Sequence, residues 1–314
     1  MKKDFLSILD LSAKEILYIL ALAKKLKLEL KVKGSNDRLL ASRTLVMIFE
    51  KPSLRTRLSF EVGMAQLGGH AVYLAPSDIG IGDRESVSDI AKIASTMGNI
   101  IMARTYKHDT VLEFAQNSLT PVINGLSDLE HPCQILADLL TISEIKGKFK
   151  GLKLAFLGDG ENNVTHSLAL ASSLLGINFS VASPNGFQMK REIKDMASKI
   201  SSVSGSTLIE TKDPGEAVEG ADVVYTDTWV SMGDETEKQE RLEIFKPYQV
   251  TAKLMKLTKP DAIFMHDLPA YRGNEVVAEV IDGSQSVVVQ QAENRLHVQK
   301  ALIIHLLAAQ EQSS

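Results

Sequence analysis

The segment Lys51-Pro52-Ser53-Leu54-Arg55-Thr56-Arg57 sits after a short apolar run and before a helical pattern. A helix N-terminus in that place offers N–H groups and a positive dipole end to an anion. Ser53 and Thr56 add hydroxyl donors, and Arg55 adds a guanidinium fork that fits phosphate in a bidentate way. Plain capping, with Ser53 as the N-cap and the arginines on a solvated face, accounts for the same string equally well. Arg104 ends a strand within MARTY (102–106), and His131-Pro132-Cys133-Gln134 opens another helical pattern. Ligands in open α/β sheets bind outside the carboxyl ends of strands, so Arg104 and Arg55 are placed to meet there. A lone histidine at a helix start is more often structural than catalytic. Cys133 reads as a small buried residue and not as a nucleophile.

The second half carries a different set. GDGENN (158–163) follows an apolar run, but the third glycine of a dinucleotide fingerprint is replaced by Asn163. A nicotinamide dehydrogenase is therefore disfavoured, and Asn163 instead offers an amide at the mouth of a sheet. Asp227-Thr228-Trp229-Val230-Ser231-Met232-Gly233 leaves one run, and His266-Asp267-Leu268-Pro269-Ala270 leaves the last. Two aspartates, a serine and an asparagine at neighbouring strand ends could hold a zwitterionic amine. Taken singly, each reads as a cap or turn residue. No HExxH or similar ligand cluster calls for a metal, and no cofactor is expected.

The elements that must position these groups alternate. Strands are expected at 44–50, 71–75, 99–105, 121–125, from 153, and at 178–184, 206–210, 222–228 and 262–266. Helical patterns fall at 12–31, 53–67, 85–98, 109–117, 131–145, 163–175, 187–201, 214–219, 247–256 and 291–309. Such alternation marks an α/β protein with two doubly wound parallel-sheet domains, joined by interdomain helices. The charged, glycine-containing KGKFKG (146–151) places the boundary, giving a first domain at 1–146 and a second at 147–289. The last helix, 290–314, is expected to pack back on the first.

The chain of 314 residues suits two domains, and its net charge of −4, from 35 basic and 39 acidic residues, argues against a nucleic-acid partner. One cysteine excludes an internal disulfide. The beginning does not read as a signal peptide, and no apolar stretch is long enough for a membrane span. A cytoplasmic protein without membrane or nucleic-acid partners is expected.

In combination, these motifs resemble the aspartate/ornithine carbamoyltransferase family over essentially the whole chain. SLRTR (53–57) and HPCQ (131–134) resemble motifs of the whole family. DTWVSMG (227–233), HDLPAYRG (266–273) and AENRLHVQKA (292–301) resemble its ornithine branch. The resemblance implies a transferase in arginine metabolism that moves a carbamoyl group from carbamoyl phosphate to the δ-amine of L-ornithine. It implies a first domain for carbamoyl phosphate, a second for ornithine, and a homotrimer or a multiple of one. Ser53, Leu54, Arg55 and Thr56 would bind the phosphate end. Arg104, His131 and Gln134 would hold the carbamoyl group, with Arg295 contributing from the last helix. Asn163, Asp227, Ser231 and Met232 match ornithine contacts. Asp267 and Leu268 stand at the family's Cys-Leu pair, which meets both substrates. Arg55, Arg104, His131 and Asp267 are then the catalytic set.

Two departures stand out. The branch has HCLP where this chain has HDLP, so Asp267 replaces a cysteine. A second carboxylate beside Asp227 either holds the δ-ammonium more firmly or shares a proton with it and accepts one from the amine. In DIGIGDRES (78–86), Gly80 and Asp83 stand where relatives bring Gln or Lys into a neighbouring subunit, and Arg84 is the substitute at hand. The alternatives are a sibling transferase for putrescine or an acylated ornithine, and a catalytically impaired metabolite-binding relative.

Overall fold

The strand β1 (Thr44–Phe49) is buried from Leu45 onward. A strand in a parallel sheet is covered on both faces, so its sequence reads as continuous apolar residues and does not alternate. The computed structural model of the chain describes residues 3–81, 84–230 and 238–311. Contacts divide it into two units, Met1–Leu140 with Glu293–Ser314, and Thr141–Ala292.

In chain order, the elements up to the first division are α1 (Ala13–Lys33), β1, α2 (Leu54–Gln66), β2 (His70–Leu74), α3 (Pro76–Ile79), α4 (Val87–Met97), β3 (Ile100–Arg104), α5 (His108–Asn117), β4 (Val122–Leu126) and α6 (Pro132–Lys146). The four strands are parallel in the order β2-β1-β3-β4. Val46, Ile48, Ile101 and Ala103 pack with Ile90, Val111 and Phe114 in one core. Helix α1 starts in a capping box in which Ser12 accepts from Glu15 N and Glu15 returns the bond, and Gly34 closes it at φ 75.

The second unit contains β5 (Lys153–Leu157), α7 (Asn163–Leu175), β6 (Asn178–Ala182), α8 (Arg191–Ser204), β7 (Leu208–Thr211), α9 (Pro214–Val218), β8 (Val223–Thr226), α10 (Lys238–Phe245), α11 (Ala252–Met255), β9 (Ile263–Met265) and α12 (Ala278–Ile281). Its five strands are parallel in the order β7-β6-β5-β8-β9. Helix α13 (Val288–Glu311) closes the chain, and the divisions between the units fall inside α6 and α13. The fold class is thus α/β with two parallel-sheet units surrounded by helices.

Element bounds moved where backbone hydrogen bonds had another partner. The helix expected at 247–256 is a 3-10 turn, Lys246–Tyr248, followed by the short α11. Val250 N donates to Glu275 O at 2.8 Å and so leaves the helical ladder, and Thr251 starts α11 afresh as its cap. Helix α10 escaped the sequence reading because KQERLEIF has too few apolar residues to show a period.

Candidate active site

In the first unit three strands with adjacent carboxyl ends carry the groups of interest. Phe49 of β1 pairs with Arg104 of β3, and Arg104 pairs with Leu126 of β4. The loop after β1 leads to Ser53, β3 itself ends in Arg104, and the loop after β4 leads to His131. The order places the sheet's topological switch at β1 and β3, where α/β sheets bind ligands. Glu50 N donates to Arg104 O at 2.9 Å, and Tyr106 N to the Glu50 carboxylate at 2.6 Å, so the two strand ends are tied together.

Ser53 is the N-cap of α2, and its hydroxyl accepts from Thr56 N at 3.3 Å. Such a cap is worth about 1 kcal/mol and leaves the first-turn N–H groups facing outward. The capping and the anion-site readings of the string are therefore compatible. Leu54 is 69% exposed, so only its backbone N–H can serve an anion. Thr56 is fully buried, and its Oγ1 accepts from Arg295 Nη2 at 2.9 Å. Arg104, His131, Gln134 and Arg295 are each buried.

The loop to His131 is braced from several sides. Glu130 N donates to Ser127 Oγ at 3.3 Å, and the buried Glu130 carboxylate accepts from Ile8 N at 3.1 Å. His131 O accepts from Gln134 N at 3.0 Å as α6 begins. Cys133 gives its thiol hydrogen to Asn124 O at 3.4 Å, and burial pushes it up to about 12 against the opposing Arg295 charge. A thiol so held is not a nucleophile at neutral pH.

In the second unit the equivalent ends are those of β5, β8 and β9, again neighbours in the sheet. Leu157 pairs with Thr226, whose hydroxyl donates to Leu157 O at 2.6 Å, and Asp227 follows. The turn after β5 needs glycine for two separate reasons. Gly158 has φ 132, and a Cβ on Gly160 would stand 2.6 Å from Phe187 O. Both glycines thus serve the turn itself.

Asn162, not Asn163, caps α7, with its Oδ1 accepting from Val164 N at 2.7 Å. Its Nδ2 donates to Asp227 Oδ2 at 2.8 Å, while Thr228 N donates to Asp227 Oδ1 at 2.6 Å. Asn163 is the first residue of α7. Ser231 and Met232, and Asp83 of the earlier loop, lie outside the described residues. Arg84 is exposed, with its N–H on Gly80 O at 2.8 Å.

Asp227, His266 and Asp267 each bring a ligand-type atom within 4.8 Å of the other two. Burial pushes the Asp227 carboxyl well above the usual carboxylate range, and the charge and hydrogen bond of Asp267 add to it. Two carboxyls that hydrogen-bond to each other hold a proton between them. The His266 ring is fully buried. Burial lowers its basicity, while hydrogen bonds from Asp267 and Glu275 and the charges of Asp267 and Asp227 raise it. The backbone decides the tautomer all the same. Leu268 N, at φ 60, donates to His266 Nδ1 at 2.9 Å, so Nδ1 keeps its lone pair and Nε2 faces Glu275 Oε1 at 3.3 Å. A second ring proton would displace the Leu268 N–H. A cation at this cluster would likewise compete for a ring whose nitrogens are both engaged. An ammonium needs only the two carboxylates.

Three residues here were missed in the sequence. Asn162 was hidden behind Asn163, although an asparagine just before an apolar helix is a capping signature. Glu275 and Arg241 sit in segments with no recognisable spacing. Arg241 forms a buried ion pair with Asp159 and donates to Trp229 O at 2.6 Å.

Two family models match the chain. The carbamoyl-P binding domain of aspartate/ornithine carbamoyltransferase covers residues 3–144. The Asp/Orn binding domain of the same family covers residues 150–306. The chain is 52% identical over 305 residues to the ornithine carbamoyltransferase of Anoxybacillus flavithermus, covering 97% of this chain and 96% of that protein. It is 51% identical over 311 residues to the Bacillus subtilis protein of that name, covering 99% and 96%. Among solved structures, ornithine carbamoyltransferase from Pyrococcus furiosus superposes with a TM-score of 0.93 at 49% identity, covering 96% of each chain. The anabolic ornithine carbamoyltransferase of Campylobacter jejuni gives 0.90 at 41% identity, covering 97% and 98%.

Proposed function

The chain belongs to the aspartate/ornithine carbamoyltransferase family, and from that premise we propose that it carries the carbamoyl group of carbamoyl phosphate to the δ-amine of L-ornithine, giving L-citrulline and phosphate. The observation that carries the reading is the pair of strand-end clusters. One is rich in buried arginine and hydroxyl donors, and the other holds a buried pair of carboxyls.

In the first unit, Ser53, the N–H groups of Leu54 and Arg55, and the Arg55 guanidinium receive the phosphate end. Thr56, Arg104 and His131 face the carbamoyl oxygen, where negative charge grows as the amine adds. Each such donor is worth roughly 3–4 kcal/mol in a dry site. Gln134 takes the carbamoyl amino group, and Arg295 keeps Thr56 in place. In the second unit, Asn163, Asp227, Ser231 and Met232 receive ornithine, and Asp267 with Leu268 meets its δ-end. Only a neutral amine attacks. The Asp227–Asp267 pair with one shared proton keeps one negative charge, binds the δ-ammonium and takes its proton. The freed lone pair forms the C–N bond, the bond from carbon to the phosphate oxygen breaks, and phosphate leaves with that electron pair and takes the second proton from the nitrogen, leaving neutral citrulline.

The role extends to a cytoplasmic enzyme of arginine biosynthesis, a direction favoured by the likeness to the Campylobacter jejuni structure named anabolic. A homotrimer or a multiple of one belongs to the same proposal. Leu54, Leu58 and Val62 form an exposed apolar stripe along one face of α2, which supports burial against a second copy. Arg84 is the residue at hand to reach a neighbour. Sedimentation showing only a monomer would remove the oligomer.

The deciding experiment supplies carbamoyl phosphate with L-ornithine, putrescine or an acylated ornithine and follows the carbamoylated product. Citrulline formed in preference to the other two products is expected. No product from any amine removes the transferase reading, and preference for another amine moves it to that sibling activity.

A further inference from the structure

Helix α6 enters the first unit's site with Gln134 and carries Asp138 one turn further on. Both side chains are buried, Gln134 at 1% and Asp138 at 0% exposure. Gln134 Nε2 donates to Asp138 Oδ1 at 2.9 Å. The other end of the same amide, Gln134 Oε1, is buried and has no hydrogen-bond partner. A buried amide oxygen without a donor costs about 1–3 kcal/mol, so its retention points to a donor that arrives with a ligand.

An amide can be turned by half a revolution at little cost in shape, and its neighbours decide which end faces where. The Asp138 Oδ1 accepts from the Gln134 NH2, which holds that end of the amide and leaves the carbonyl end for the site. A carboxamide at position 138 would impose no such choice. The carbamoyl group of carbamoyl phosphate ends in an NH2, whereas an acetyl group of similar size ends in a methyl. An oriented acceptor separates the two, and an amide free to turn does not.

We propose that Asp138 is a positioning residue: it fixes the Gln134 amide with Oε1 towards the donor's amino group, and so selects carbamoyl phosphate over acyl phosphates that lack an N–H. This rests on the carbamoyl phosphate reading given above. In this role Asp138 touches no substrate and acts through its hydrogen bond to Gln134.

The test compares carbamoyl phosphate, acetyl phosphate and inorganic phosphate as ligands of the parent protein and of Asp138→Asn, by calorimetry. The expected result is a loss of about tenfold or more in the preference for carbamoyl over acetyl phosphate, with inorganic phosphate bound as in the parent. In Gln134→Ala the preference is expected to be lost already, and adding Asp138→Asn should lower it no further. Unchanged discrimination in Asp138→Asn overturns the proposal while leaving the transferase reading intact. Equal weakening of all three ligands overturns it too, because it marks a merely structural role. A further loss in the double variant means that Asp138 acts by another route. A parent protein that does not prefer carbamoyl phosphate fails the earlier reading itself.

Discussion

Arg295 Nη2 donates to Thr56 Oγ1 at 2.9 Å across 239 positions of sequence. The bond joins the last helix to the first turn of α2, both in the first unit. It leaves the Thr56 hydroxyl free to donate elsewhere, since a hydroxyl accepts and donates at once.

Arg295→Gln should therefore weaken carbamoyl phosphate more than it weakens the fold. A hydrogen bond to a charged group is worth roughly 1.5–3 kcal/mol, so KM for carbamoyl phosphate should rise about 10- to 100-fold. Steady-state kinetics with ornithine saturating checks this. A KM within twofold of the parent would detach Arg295 from the donor site.

Arg55→Gly should nearly abolish carbamoyl phosphate binding while the protein stays folded. Arg55 is half-buried, and its backbone carbonyl accepts from Ser59 Oγ at 2.6 Å whatever its side chain. Glycine inside the helix costs only about 1 kcal/mol. Calorimetric titration beside a thermal melt separates the two effects. Unchanged affinity would leave Ser53 and Thr56 as plain capping residues.

The Asp227–Asp267 pair makes stability depend on pH in a stated direction. Burial and the Asp267 charge raise the Asp227 carboxyl, so the folded protein holds a proton that the unfolded chain releases. That contribution is complete below the ordinary aspartate range and is lost as pH rises through the raised value. Asp267→Cys removes the like charge, brings Asp227 down and should flatten this fall. In the pH profile of kcat/KM for ornithine, the ionisation due to Asp227 should move to lower pH. Superimposable profiles would mean that Asp267 takes no direct part in the chemistry.

Arg241 and Asp159 form an ion pair with side chains 9% and 13% exposed, backed by the Phe187 and Phe245 rings at 5.0 and 5.2 Å from the guanidinium. Burial raises the Asp159 carboxyl, and Arg241 is the main opposing influence. Arg241→Met should cost about 3–5 kcal/mol at neutral pH by stranding a buried charge. Asp159 then rises further, so the variant should keep its stability at low pH and lose it as pH climbs. Adding Asp159→Asn should recover a large part. Urea denaturation at two pH values measures this, and equal losses at both would assign the cost to packing.

Local pattern alone determined a good deal. The apolar runs that became β1, β3, β5 and β8 are legible because parallel strands are buried on both faces. Ser12 and Ser53 are legible as caps because a cap acts within one turn. The SLRTR and HPCQ strings, and HDLP apart from Asp267, kept the family's types and spacing, so the family could be read before any coordinate. What only the tertiary structure decided is who meets whom over long sequence distances. Thr56 with Arg295, Asn162 with Asp227 and Arg241 with Asp159 are joined by strand order and helix packing, and no local periodicity records those. The same holds for the state of the acids. A carboxyl's proton depends on its burial and on the charge beside it, and Asp227 acquires both only when β8 and β9 lie side by side.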